Sequence, residues 1–414
     1  MNLAIIGTGY VGLTSGICFA SKGHIVKCID IDSKKVGLIN SKISPIYEEG
    51  MAELLAKVID NGNLKATIDA KSAINESEVV FICVGTPSLK DGSINLDYIK
   101  QAAKTVADNL NSYKVIVVKS TVVPKTTEEV VGKILKESGK EFGLCMNPEF
   151  LKEGSAIKDF LEGDRIVLGV GDKKTESVMR KVYERFSQKI FVTTPRTAEM
   201  IKYANNSFLA TKISFANELG NLCKKLGIDT YTVMDGIGMD DRINRKFLNS
   251  GAGFGGSCFP KDVKAIVSKG LAEAEPMILL RAVIKVNELQ PLKMVELLKK
   301  HINIVGGKIG ILGLAFKKGT DDLREAPSLI IIDELLRQKA KVIAYDPEAM
   351  NHAKKIFGER ISYAKNSNEV INSSDAVLIV TEWDEFKNLD FGKKIVIDGR
   401  RMNPKSDSSE GICW

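Results

Sequence analysis

Apolar positions fall along the chain in short β-branched runs, separated by stretches whose apolar residues recur at helical spacing. The first run, Leu3-Ala4-Ile5-Ile6, leads into Gly7-Thr8-Gly9-Tyr10-Val11-Gly12, a helical stretch to about Lys22, and a second run from Ile25 to Ile29 that ends at Asp30. Val79–Val84, Val115–Lys119, Phe142–Met146 and Arg165–Val170 follow, each continuous enough for a strand covered on both faces. Strands alternating with helices predict an α/β fold on a doubly wound parallel sheet. Three runs end in polar residues, Gly85-Thr86-Pro87, Ser120-Thr121 and Asn147-Pro148-Glu149. Ligands of such sheets bind beyond the carboxyl ends of the strands, so these tips are expected to face one.

Thr194-Pro195 reads as a helix cap followed by Pro at the first helical position. The long helical pattern after it carries an apolar stripe of Met200, Ala204, Phe208, Phe215, Leu219 and Leu222. Lys202 and Asn206 lie four apart on a face turned away from the stripe. A solvated face and a functional one explain that pair equally well. Further on the chain repeats itself: Lys308–Lys318 starts like the first strand and turn, Lys341–Pro347 matches the strand ending at Asp30, and Ser374–Val380 echoes Ser77–Cys83. The expected organisation is two Rossmann-like doubly wound domains, residues 1–196 and 301–414, joined by a central helical domain, residues 197–300. The second turn lacks the glycine triplet and offers Lys317, Lys318 and Arg324, which suits a different anionic ligand or a degenerate structural domain.

A chain of 414 residues with 44% hydrophobic content has room for two or three cores. It contains no run of 18 apolar residues and opens as a strand, so a cytoplasmic protein with no membrane association is expected. The seven cysteines are scattered without metal-ligand spacing, and none of the three histidines lies in a motif. Disulfides and a metal site are therefore not expected, and acid–base work falls to carboxylates, lysine and water. The net charge of +7 is spread along the chain without a basic arm, so nucleic acid is not an expected partner.

The first turn has the form that holds a dinucleotide. Gly7 allows the tight turn, Gly9 admits a pyrophosphate to the backbone, and Gly12 lets the helix pack on the strand. Asp30, 18 residues beyond Gly12, is placed to hold the ribose hydroxyls of NAD. The second chemical signal is Cys258 in Gly251-Ala252-Gly253-Phe254-Gly255-Gly256-Ser257-Cys258-Phe259-Pro260-Lys261-Asp262. Glycines let a ligand approach the backbone, and a cation and a carboxylate stand within one turn of the sulfur. A glycine-rich surface loop with an incidental cysteine is the plainer alternative.

These motifs together closely resemble the UDP-glucose 6-dehydrogenases, within the larger family of NAD-dependent sugar-nucleotide dehydrogenases. The resemblance runs from residue 1 to about Arg401 and includes Asn147–Gly154, Asp164–Val167, Ala198–Ala204, Phe247–Asn249, Gly255–Asp262 and Lys317–Arg324. The tail departs from it, running through polar Lys405–Glu410 to Gly411-Ile412-Cys413-Trp414. The resemblance implies oxidation of a primary alcohol to a carboxylate with two NAD reduced in succession. Cys258 then captures the aldehyde covalently, Lys202 and Asn206 stabilise the oxyanion, Asp262, Lys202 or water handles the alcohol proton, and Glu149 or Glu153 activates water. It places Gly7, Gly9, Tyr10, Val11, Gly12, Asp30, Lys35, Thr86, Thr121, Glu153, Lys261 and Arg324 toward NAD, with Thr121 also among the catalytic residues. Toward the sugar nucleotide it places Glu149-Phe150-Leu151-Lys152-Glu153, Lys202, Asn206, the Phe247-Leu248-Asn249-Ser250-Gly251 backbone, Gly255 and Lys317. Arg242 matches a position that reaches into a neighbouring subunit's site, which implies a homodimer built on the central helices. GDP-mannose 6-dehydrogenases and UDP-N-acetylhexosamine dehydrogenases are the near alternatives, and a non-catalytic NAD-sensing module is a distant one.

Overall fold

The computed structural model describes residues 1–402 and 405–414, which pack internally as two units, residues 1–205 and 206–414, with the boundary inside one long helix. The first unit holds an eight-stranded sheet of β1 (Asn2–Ile6), β2 (Ile25–Ile29), β3 (Leu64–Thr67), β4 (Val79–Ile82), β5 (Val115–Val118), β6 (Gly143–Met146), β7 (Arg165–Val170) and β8 (Lys189–Thr193). Their order is β3-β2-β1-β4-β5-β6-β7-β8. Every residue of β4 and β5 is buried, as continuous apolar runs in a covered parallel sheet require. Burying each such Val or Ile contributes about 1.5–3 kcal/mol.

The order reverses direction between β3-β2-β1 and β4 onward, so the tips of β1 and β4 open a crevice, and the Gly7–Gly12 turn sits there. One expectation is corrected: β7 pairs antiparallel with β6, so the sheet is not parallel throughout. An apolar run carries no mark of its direction, and the alternation rule cannot supply one. β3 and β8 were not among the expected strands; both are short, and β8 alternates exposed and half-buried residues.

The second unit carries a sheet of β9 (Lys308–Leu312), β10 (Lys341–Tyr345), β11 (Ser362–Tyr363), β12 (Ala376–Ile379), β13 (Asp390–Asp398) and β14 (Lys405–Gly411), in the order β11-β10-β9-β12-β13-β14. This repeats the order of β1–β6 strand for strand, so the internal repeat read in the sequence is a repeat of topology. The tail, polar in sequence, is the edge strand β14, paired in parallel with β13. Beyond it Ile412 and Cys413 are buried in the core of this unit. The helix Pro195–Leu226 receives the tail at Gly220, where a Cβ would stand 2.8 Å from Cys413 Cβ. Lys224 Nζ and Thr230 Oγ1 donate to the carbonyls of Trp414 and Cys413.

That long helix presents most of its apolar stripe at the surface. Tyr203, Asn206, Ala210, Ser214 and Asn217 are buried, whereas Met200, Phe208, Phe215 and Leu222 of the apolar stripe are 45–65% exposed. Lys202, 3% exposed, is likewise not on a solvated face.

Candidate active site

In the first unit the glycine turn behaves as its spacing requires. Gly7 has φ +95°, and a Cβ there would meet Cys83 O at 2.8 Å; one on Gly12 would stand 1.9 Å from Gly7 O. A Cβ on Gly9 would touch nothing within 4 Å, so the backbone there lies open. The helix Tyr10–Ser21 starts immediately after it, presenting its N-terminal amides. Asp30 accepts from the Thr8 amide at 2.9 Å, from the Thr8 hydroxyl at 2.5 Å and from the Asp32 amide at 3.0 Å. Burial pushes its pKa up, but these bonds and Lys35 outweigh burial and hold it below the ordinary carboxylate range. An open turn, a helix N-terminus and a fixed carboxylate together fit an NAD diphosphate and ribose.

The strand tips also converge. Thr86 Oγ1 donates to the carbonyl of Thr121 at 3.0 Å, joining the segments after β4 and β5. After β6, Asn147 is anchored by Lys119 Nζ at 3.0 Å and donates to Val167 O at 2.8 Å. Glu149, 7% exposed, accepts from Lys202 Nζ at 2.9 Å and from the Leu151 amide. Burial raises its pKa, yet the ammonium of Lys202 and that amide more than offset it, so the pKa is lowered. Phe150 packs under the Arg165 guanidinium, 4.1 Å from ring centroid to Cζ. Lys152 pairs with Asp159. Glu153 lies one residue before Gly154, and its charge contributes to the raised pKa of the Tyr10 phenol, which is set first by burial and then by Glu48.

In the second unit Cys258 is exposed and precedes the helix Phe259–Ala272, which has Pro260 in its first turn. Ser257 Oγ lies 3.5 Å from its sulfur. Asp262, 1% exposed, accepts from Lys261 Nζ at 2.6 Å and from Asn206 Nδ2 at 2.7 Å. The predicted Asn206 and Asp262 are thus directly bonded, in a pairing that neither motif announces alone.

The glycine segment ahead of Cys258 is held at both of its backbone groups by buried amides that the sequence reading missed. Asn217 Oδ1 accepts from the Gly251 amide at 2.7 Å, and Gln290 Nε2 donates to its carbonyl at 2.8 Å. Asn287 does both for Phe254, at 2.8 and 2.9 Å. The repeat of uncharged polar residues Asn206, Ser214 and Asn217 along one helical face was the available signal for the first of these. Ser250 O accepts from Tyr231 OH, Leu248 is buried, Asn249 accepts from Arg245, and Phe247 adopts φ 65°. Arg242 is exposed and paired with Asp240.

The loop Phe316–Arg324 lies against the same segment. A Cβ on Gly255 would stand 2.4 Å from Glu325 O, one on Gly256 would strike the Phe316 ring, and Gly256 N–H donates to Arg324 O. This places the backbone bearing Lys317 and Arg324 beside the cysteine loop; the Arg324 guanidinium itself pairs with Asp322. Where the first unit leaves Asp30 half exposed, its counterpart Asp346 is fully buried and accepts from the Leu314, Ala315, Glu348 and Ala349 amides and from Trp383 Nε1. That carboxylate is committed to the fold.

The comparisons agree along the whole chain. Residues 1–187, 196–289 and 310–404 match, respectively, the NAD binding domain, the central domain and the UDP binding domain of the UDP-glucose/GDP-mannose dehydrogenase family. The UDP-glucose 6-dehydrogenase TuaD of Bacillus subtilis is 44% identical over 412 residues, covering 97% of this chain and 89% of that one. The UDP-glucose 6-dehydrogenase AglM of Haloferax volcanii is 42% identical over 420 residues, covering 97% of each. Among solved structures, a UDP-glucose dehydrogenase from Pyrobaculum islandicum superimposes with a TM-score of 0.98 at 40% identity, covering 100% of this chain and 97% of that one. A UDP-D-ManNAc dehydrogenase from Pyrococcus horikoshii gives 0.89 at 29% identity, covering 100% and 99%. The chain belongs to the UDP-glucose/GDP-mannose dehydrogenase family.

Proposed function

We propose that this protein oxidises UDP-glucose at C6 to UDP-glucuronate, using NAD twice. The observation that carries the reading is the cysteine at a helix N-terminus, with a buried carboxylate one turn on held by Lys261 and Asn206. When bound, NAD accepts the hydride lost from C6 in each oxidation. The residues supply the rest. Asp262, Lys202 or an ordered water takes the alcohol proton in the first oxidation. Cys258 Sγ adds to the aldehyde carbon, and loss of the second hydride and the hydroxyl proton leaves a thioester; water then releases the acid and the thiolate. A helix N-terminus favours the negative sulfur. Lys202 and Asn206, one turn apart, donate to the developing oxyanion. We assign water activation to Glu149, which pairs with Lys202, and the cofactor side to Glu153, whose charge acts on Tyr10.

Thr86, Thr121, Lys35, Lys261 and Arg324 are assigned to NAD, and the Phe247–Gly251 backbone with Lys317 to the UDP end. The functional division is kept at residues 196 and 300. The exposed stripe of Phe208, Phe215 and Leu222 favours a homodimer through the central helices, with Arg242 serving the neighbouring site. No described helix is long and apolar enough to cross a membrane, and the protein is proposed to act in the cytoplasm. The decisive experiment is NADH production by the purified protein with UDP-glucose, GDP-mannose and UDP-N-acetylhexosamines. Two NADH per UDP-glucose, with little from the others, is the expected result; none from UDP-glucose refutes the reading.

A further inference from the structure

We propose that Glu48 is a positioning residue for the dinucleotide, tying the first turn of the helix Tyr10–Ser21 to the loop that carries Glu153. Glu48 is 7% exposed, and both of its oxygens are occupied. Oε1 accepts from the Ala156 amide at 2.7 Å, and Oε2 accepts from the Gly154 amide at 2.8 Å and, in a short bond, from the Tyr10 hydroxyl. Tyr10 is the first residue after the open turn at Gly9. Its bond to Glu48 therefore fixes the first residue of that helix.

The loop after β6 is tied to itself and to the helix Ala156–Glu162: the Ser155 amide donates to Lys152 O at 3.0 Å and the Ser155 hydroxyl to Asp159 at 2.9 Å, whereas Glu48 ties it to the helix Tyr10–Ser21. Glu149 is held by Lys202, and the Lys152 amide donates to Asp159 at 3.0 Å. Gly154 turns with φ +82°, after which the chain enters the helix Ala156–Glu162. Glu153 thus sits between an anchor at Lys152 and the Glu48 anchor at Gly154. Replacing the carboxylate by an amide removes one of the two oxygens and so breaks the tie from this loop to the helix Tyr10–Ser21 on at least one side, leaving one backbone amide without its acceptor. A loop ordered beforehand spares the bound cofactor the entropy of ordering it. Glu48 and Gly154 are 106 residues apart in sequence, so the tie is a tertiary one.

This rests on placing Glu153 and the Gly7–Gly12 turn on the cofactor side, and the test reads binding rather than turnover. NAD is titrated calorimetrically into Glu48→Gln, Glu48→Asp and Tyr10→Phe without sugar nucleotide, and UDP-glucose is titrated separately. Glu48→Gln should weaken NAD by about tenfold or more, and Glu48→Asp, one methylene short, by a similar factor. UDP-glucose affinity should stay near wild type, while the melting temperature of Glu48→Gln should fall by a few degrees. Tyr10→Phe, which keeps the ring, should weaken NAD by about threefold, and its effect should vanish in the Glu48→Gln background because the two share one bond. NAD affinities within about twofold of wild type in Glu48→Asp and Tyr10→Phe would overturn the proposal. So would an equal loss of UDP-glucose affinity. A wild-type protein that binds NAD but does not oxidise UDP-glucose would instead sink the functional reading while leaving this result standing.

Discussion

Asn206 donates through Nδ2 to Oδ2 of Asp262 at 2.7 Å, joining the helix Pro195–Leu226 to the first turn of the helix that follows Cys258. Asp262 accepts from Lys261 on its other oxygen, so its carboxylate is fixed from two sides in a buried setting. A carboxylate so held orients a donor on each side, the geometry that the proposed proton-accepting role at the alcohol requires.

Asp262→Asn should therefore cut kcat by roughly two decades or more, the usual scale for general acid–base work. The amide keeps the shape but turns one donor against Lys261 or Asn206. UDP-glucose affinity, measured by calorimetry, should change little. A variant with near wild-type kcat would remove Asp262 from the reaction.

Cys258→Ala should abolish net formation of the acid while NAD and UDP-glucose still bind. Glu149→Gln should slow release of the acid, and mass spectrometry of a quenched reaction should find the sugar nucleotide bound to the peptide containing Cys258. If the adduct instead accumulates in Glu153→Gln, the two carboxylates exchange roles. Full turnover in Cys258→Ala rules out covalent capture.

The parts of this site that the sequence disclosed are local ones. Gly7, Gly9 and Gly12 act within one turn, and each meets the steric condition its spacing implied. Asp30 follows from the length of one helix and one strand. The long helix shows why its faces were not legible: Phe208 is 65% exposed and Asn217 fully buried. An amphipathic pattern gives two faces without saying which one meets the core of its own chain. Gln290, Asn287 and Glu48 were invisible because each acts on backbone atoms far away in sequence, and a lone polar residue in a helix or loop carries no mark of that.

Cofactor choice should follow Asp30, whose carboxylate stays ionised through its bonds to Thr8 and Asp32. The extra phosphate of NADP beside it costs about 1 to 4 kcal/mol per like-charge pair at 4 Å, between water and a surface dielectric of 20. NAD should win by roughly one to three decades. Asp30→Ser should narrow that ratio mainly by improving NADP. Equal use of both cofactors by the wild type would contradict the assignment.

The last prediction concerns Glu199, fully buried near the start of the long helix and accepting from the Lys125 and Thr127 amides at 2.7 Å each. Burial pushes its pKa up to about 7, against the lowering effect of the Thr127 side chain and these amides. The folded state then binds a proton that the unfolded chain releases at its ordinary value of 4.5. Stability should accordingly be fullest below about pH 4.5 as far as this group is concerned, and fall as pH rises toward 7. The loss is on the order of a few kcal/mol, complete above the folded-state value. Glu199→Gln keeps one acceptor and cannot ionise, so its stability relative to wild type should improve steadily across that interval in denaturant titrations. A difference between the two proteins that is flat from pH 4.5 to 7 would show that the amides at Lys125 and Thr127 hold this carboxylate ionised throughout.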